Sequence, residues 1–253
     1  MISVSCLVNG FRLIFGKGVK RLSLGPLLIN LLLYILIGYF LYGQFGRFVD
    51  WSLGLLPSWA SFLVPIMWVL FVVTGLLVMG YSFAIIAMIV CSPFHGLLAE
   101  KVAENLGYRK FDEQLTWAVF YRICARSLQR ELTKIRYNLP RSLGVLCAII
   151  VLGFIPVINL LAPVVAFAWA AWSMAIQFID YPADNDQVDF KPMIVKLRHR
   201  RATSLTFGAL VAFLLSIPFL NLLVISAAVA GATQLWLEKI EPSPKLSELA
   251  SGL

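Results

Sequence analysis

Residues 142–179, SLGVLCAIIVLGFIPVINLLAPVVAFAWAAWSMAIQFI, contain no Lys, Arg, Asp or Glu, and near their middle Ile155-Pro156-Val157-Ile158-Asn159-Leu160-Leu161 interrupts an otherwise continuous apolar run. The same IPxxNLL pattern returns at Ile217-Pro218-Phe219-Leu220-Asn221-Leu222-Leu223, in the middle of a second uncharged block, 202–237. Proline lacks a backbone donor and breaks a helix interior, and proline with asparagine marks a turn, so each block reads as a helical hairpin. The leading arms, 142–154 and 202–216, reach only roughly 20 Å and 22 Å, short of the roughly 30 Å hydrocarbon core. They are expected to stop at half depth, where irregular backbone is tolerated only inside protein or along a wet cavity. The trailing arm 159–179 is long enough to span, which leaves a six-helix bundle as the competing arrangement.

Two further charge-free blocks precede these, 22–45 and 51–99. The first predicts a transmembrane helix over 22–43, with Pro26 in its first turn and Asn30 as its one strongly polar side chain. The second predicts a helix over 62–91, long enough to tilt or to run on into the cytoplasm near Pro93. Between Glu100 and Arg141 the composition turns charged and amphipathic. Arg122, Arg126 and Arg130 recur every four residues, while Ile123, Cys124, Leu128 and Ile135 fall on another arc, as in a helix lying on or under the membrane. The fold expected is thus an all-α integral membrane protein of one domain, 1–253. It has two long transmembrane helices, a cytoplasmic amphipathic helical region over 100–141, and two Pro-broken half-depth hairpins over 142–179 and 202–237.

Composition agrees with this class. The chain has 253 residues, 60% hydrophobic and 13% charged, with a mean hydropathy of +0.86, far from a soluble globular composition. Residues 1–15 lack a small-residue cleavage pattern, so the first long block is expected to remain in the mature protein. The net charge of +8 is attached to membrane segments and reads as cytoplasmic loops and lipid contact, with no nucleic-acid partner. Of 21 Lys and Arg residues, two spans and two hairpins leave only Arg47 on the far side. The crowded side is cytoplasmic by the positive-inside rule. Half-depth arms do not make a continuous path alone, which implies a homo-oligomer. Oppositely inserted subunits would join two half-paths, whereas the charge bias favours a single orientation.

No GxxxxGK[ST], G-x-S-x-G or H-E-x-x-H occurs, so the chain is expected neither to hydrolyse ATP nor to be an enzyme. No cofactor and no metal are expected. Cys6, Cys91, Cys124 and Cys147 have no CxxC spacing and read as reduced, space-filling thiols. Asp180, Asp184, Asp186 and Asp189 sit in a Pro- and Asn-rich stretch and read as caps and turn residues. His95 reads as a satisfied polar residue, and the Arg122 series as a contact for acidic lipid.

Several motifs occur in a fixed order: Gly18-Val19-Lys20-Arg21, Pro26 to Asn30, Ser92-Pro93-Phe94-His95-Gly96-Leu97-Leu98-Ala99-Glu100, and Leu139-Pro140-Arg141. Ala175 to Asn185 (AIQFIDYPADN), Phe207 to Leu210 (FGAL) and the second IPxxNLL follow. Over nearly the whole chain this series resembles the CysZ-type sulfate permeases of bacterial inner membranes. Many members have two arginines where this chain has Lys20-Arg21, and lysine lacks the bidentate fork. The resemblance implies sulfate uptake for assimilation into cysteine, with an anion site at Gly18, Val19, Lys20 and Arg21. Two cations beside free N–H groups at a helix start suit a dianion, although such a pair is also an ordinary orientation signal. Gly96, Leu97, Leu98, Glu100 and Arg141 are the expected pore or entrance residues. Glu100 ends an uncharged run and requires a cation, with Arg141 the first candidate and Lys101 and Arg109 the others. A helix-surface position with i,i+4 pairing is the alternative reading of Glu100.

Overall fold

The computed structural model describes residues 2–16, 18–20, 64–109, 116–217, 221–245 and 248, and a spaced set of positions between 25 and 51. Most of the expected helix over 22–43 lies outside the described residues, as do Arg21 and the Pro218 corner of the second hairpin. Among the described residues there is no strand. The elements are α1 (Ile2–Leu13), α2 (Val64–Asn105), α3 (Trp117–Gly153), a 3-10 turn (Ile158–Leu161), α4 (Ala162–Asn185), α5 (Phe190–His199), α6 (Arg201–Leu215), α7 (Asn221–Leu235) and a π turn (Trp236–Ile240).

The chain divides into two compact units, Gly25–Cys91 and Met1–Leu24 with Ser92–Leu253. In the smaller unit the described positions between 25 and 51 are helical. Leu28, Leu32, Ile35, Leu36, Tyr39 and Phe40 are exposed there, as are Ile66, Val69, Leu70 and Val73 of α2. Apolar faces of that kind need lipid or protein against them.

In the larger unit, α3 is one helix that passes through Pro140, so the amphipathic stretch and the leading arm of the first hairpin are continuous. Thr116 caps its start, its side chain accepting from the Val119 N–H. The chain turns at the first IPxxNLL. Val157 holds φ 71°, a conformation that costs a β-branched residue of order 1–3 kcal/mol, and α4 runs back along α3. Trp169 Nε1 donates to Ser142 Oγ at 3.0 Å across the hairpin.

Exposure changes along both arms. Leu139, Leu143, Leu146, Ile150, Val151 and Phe154 are exposed on α3, as are Leu160, Leu161, Val164 and Phe167 on the return. From Ala175 to Ala183 α4 is buried. Among the described residues, three helical stretches are long and apolar enough to cross a membrane: Trp117–Gly153, Ile158–Asn185 and Leu223–Ile240.

The core of this unit lies where α4, α6, α7 and α1 cross. Ala175, Ile176, Ile179, Phe207, Val211, Ala227, Ala228 and Leu235 are fully buried there. Ser3 Oγ ties α1 to the Thr203 carbonyl on α6 at 2.9 Å. The helices meet at glycine. A Cβ at Gly208 would collide with the Ala171 carbonyl oxygen and come within 2.8 Å of the Ala175 nitrogen. Both obstacles are backbone, so Gly208→Ala is expected to cost about 1–3 kcal/mol by forcing α4 and α6 apart. A melt of the purified protein in detergent checks this, with Gly144→Ala as the control: Gly144 has open space around it, and there the change removes the glycine penalty of about 1 kcal/mol.

Candidate functional site

Glu131 and Lys134 are the most deeply buried charged residues of α3, at 0% and 1% exposure. Charges so far from water persist only with partners. Lys134 Nζ donates to Glu131 Oε1 at 2.6 Å and lies 3.4 Å from Asp180 Oδ2 on α4. Glu131 also accepts from Ser92 Oγ of α2 at 2.8 Å and from the Tyr181 hydroxyl at 3.2 Å. Lys134 stands 4.4 Å over the Tyr181 ring, and Tyr181 OH is 3.3 Å from His95 Nδ1. Three helices thereby contribute to one buried polar cluster, in which the expected satisfied polar role of His95 holds for one ring nitrogen: its Nδ1 has a partner, while its Nε2 is buried without one.

A second tier lies nearer the surface. Arg130 Nε donates to Asp180 Oδ1 at 2.8 Å, and Arg126 reaches Asp184 Oδ1 at 3.1 Å. Both guanidinium groups are also held by backbone, Arg126 by the Asp184 carbonyl and Arg130 by the Val188 carbonyl at 2.9 Å. Arg126 and Arg130 therefore face acids of α4. Asp180 and Asp184 serve as ion-pair partners inside that helix, whereas Asp186 and Asp189 occupy the cap positions at its end and at the start of α5. Asp186 also accepts from Trp236 Nε1 at 2.5 Å and pairs with Arg109.

These side chains line a recess of about 180 Å³, with Gly96, Leu97 and Glu100 on α2, Arg126 and Arg130 on α3, and Asp180 and Asp184 on α4. Asn185 Nδ2 donates to the Gly96 carbonyl at 2.9 Å, fixing α2 against α4 at the recess. Of the expected entrance residues, Gly96, Leu97 and Glu100 meet here, and Leu98 points into the core at 0% exposure. Arg141 does not line the recess. It lies eleven residues beyond Arg130 on α3, roughly 16 Å along the helix, and its Nη1 donates to the Tyr137 carbonyl at 2.6 Å with the guanidinium over the Tyr137 ring. Arg109 is the cation whose electrostatic surroundings include Glu100. Burial pulls the Arg109 guanidinium below its ordinary value, and Glu100 pushes back.

The expected anion segment adjoins the same helix end. Gly18 takes φ +79°, and a Cβ there would meet the Lys101 side chain. Val19 is fully buried, and Lys20 is exposed with its Nζ 6.0 Å from the Phe15 ring centre. Glu100 and Lys101 are consecutive, so Glu100 faces the recess while Lys101 meets Gly18. Glu131 and Lys134, the cluster's centre, are not among the expected site residues; Lys134 continues the four-residue spacing of bases 126 and 130, matched by acids 180 and 184, and Glu131 carries no such signal.

Long apolar helices, exposed apolar faces and a buried ion-pair cluster define a multi-pass helical membrane protein. A family model described as "Sulfate transporter CysZ/Etoposide-induced protein 2.4" matches residues 6–226. The chain is 39% identical over 233 residues to the "Sulfate transporter CysZ" of Pseudomonas fluorescens (strain Pf0-1), covering 92% of each chain. It is 40% identical over 235 residues to that of Pseudomonas syringae pv. tomato (92% of this chain, 90% of the relative), and 37% over 238 residues to that of Vibrio cholerae serotype O1 (strain ATCC 39315 / El Tor Inaba N16961), with 93% of each covered. The chain belongs to the sulfate transporter CysZ/etoposide-induced protein 2.4 family.

Lys134→Met would leave Glu131 and Asp180 short of a buried cation. It is expected to cost about 3–5 kcal/mol and to lower the melting temperature by roughly 10 °C. Glu131→Leu with Lys134→Met removes both charges, leaves Arg130 on Asp180, and is expected to melt above the single variant. A single variant that melts like wild type contradicts this arrangement.

Proposed function

We propose that this chain carries sulfate across the bacterial inner membrane, as a channel or secondary transporter that hydrolyses no ATP, and supplies sulfate assimilation and cysteine biosynthesis. The relatives named sulfate transporters support the substrate. The observation that carries the reading is the recess lined with arginines and carboxylates from three helices, because charged side chains at the mouth of a membrane passage gather and select ions. Moving a dianion toward a negative interior costs about 4.6 kcal/mol per 100 mV, twice the single-charge figure. Uptake therefore runs on a steep sulfate gradient, rapid consumption or a coupled ion.

In this reading Gly18, Val19, Lys20 and Arg21 hold the anion at the cytoplasmic boundary, and Gly96, Leu97, Leu98, Glu100 and Arg141 form or support the entrance. The apolar sleeve exposed on the first hairpin, from Leu139 to Phe154, is roughly 22 Å long. That length falls short of a core of roughly 30 Å, which supports arms that stop inside the bilayer and a path completed by further copies of the chain in lipid.

Proteoliposomes holding the purified protein are expected to take up labelled sulfate. Glu100→Gln, and separately Lys20→Ala with Arg21→Ala, are expected to slow the initial rate at least about tenfold, a barrier change of about 1.4 kcal/mol. No uptake by wild type rejects the function; unchanged uptake in both variants rejects these sites.

A further inference from the structure

The two arginines of the recess differ in how firmly their acids are held. Asp180 is 1% exposed and Arg130 13%, so separating them would strand a buried charge. Asp184 is 20% exposed and Arg126 45%, so water can take over from that carboxylate at little cost. Arg126 and Arg130 do not depend on their acids alone for position, since each also donates to a backbone carbonyl, that of Asp184 in the last turn of α4 and that of Val188 in the connection to α5. Arg130 stands in addition 5.7 Å over the Phe190 ring. The two guanidinium groups are therefore preorganised one helical turn apart, with Ser127 on the same wall.

We infer that Arg126 and Arg130 form a tetrahedral-dianion seat at the rim of the recess, which Asp184 occupies in the resting protein and the incoming oxyanion takes by displacing it. Asp184 already spans both cations, 3.1 Å from Arg126 and 3.8 Å from Arg130. A single carboxylate offers two oxygens and one charge. A sulfate-like dianion offers four oxygens and two charges, and Arg is the side chain whose fork matches such a group. Glu100 on the α2 wall opposes an anion, and Arg109 lies in its field. The inference rests on the sulfate-transport reading and adds to it a second stop beyond the Lys20 segment. It carries an inverted signature, since removing an acid is expected to tighten anion binding.

Sodium sulfate is titrated calorimetrically into the purified full chain at constant ionic strength, with chloride as the reference anion. The Lys20→Ala/Arg21→Ala background removes the other expected seat. Asp184→Asn in that background is expected to bind sulfate about tenfold tighter, and Arg126→Gln about tenfold weaker. A second acid change, Asp184→Ala, guards against a new contact made by asparagine and is expected to behave as Asp184→Asn does. If wild type binds sulfate, but Asp184→Asn and Asp184→Ala in the Lys20→Ala/Arg21→Ala background bind it no tighter than that background does, this seat is overturned and the transport reading stands. If neither wild type nor any variant binds sulfate, both fall. Tightening toward phosphatidylglycerol micelles without tightening toward sulfate assigns the arginines to lipid headgroups and also overturns the seat.

Discussion

A carboxylate and an ammonium group with almost no access to water, Glu131 and Lys134, pair with each other on α3 and still require further hydrogen-bond and charge partners from neighbouring helices, or the larger unit does not hold its form. Asp180 and Tyr181 of α4 and Ser92 of α2 meet that requirement. The pairing follows from hairpin geometry. Antiparallel helices with equal rise bring together residues equidistant from the turn, and the pairs 134 with 180, 130 with 180 and 126 with 184 lie symmetrically about residues 155–157. The turn at Pro156 and the ion-pair cluster are therefore one constraint expressed at two ends. Moving the turn by a residue would rotate the acids of α4 by about 100° away from the bases of α3.

That constraint separates what the sequence made legible from what it hid. Charge-free blocks announced long apolar helices because a missing charge is a local fact, and the Pro156 corner was visible for the same reason. The glycine contacts between α4 and α6 were not visible, because nothing near Gly208 says that Ala171 will lie against it. The arginine series was read as a surface stripe. Its four-residue spacing is correct, but a stripe facing lipid headgroups and one facing the acids of α4 have the same pattern until the hairpin register is known. Lys134 and Glu131 carried the least signal, since a Lys and a Glu three apart ordinarily denote an exposed helix pair. In the entrance group, Gly96, Leu97 and Glu100 share the recess while Arg141 pairs with its own helix.

The same arrangement links packing to a task. The tip of the first hairpin exposes apolar side chains and no charge, whereas its base is a ladder of ion pairs that grades from buried at Lys134 to half-exposed at Arg126. Pairs at the buried end are too costly to open and keep the three helices together. Those at the rim are cheaper to open, which the proposed exchange with an anion requires. The sulfate transport proposed for this chain would draw on both properties in one place: a rigid hairpin that holds its cations, and an edge at which those cations can change hands.

A neutralising cycle across the hairpin tests this most directly. Arg130→Gln and Asp180→Asn are each expected to lower the melting temperature sharply, because each leaves its partner's charge buried with less compensation. The double variant removes both charges and is expected to lose clearly less than the two single losses summed, the mark of direct coupling. Losses that simply add in the double variant would show that the two residues do not face each other, and the hairpin register on which this account rests would be wrong.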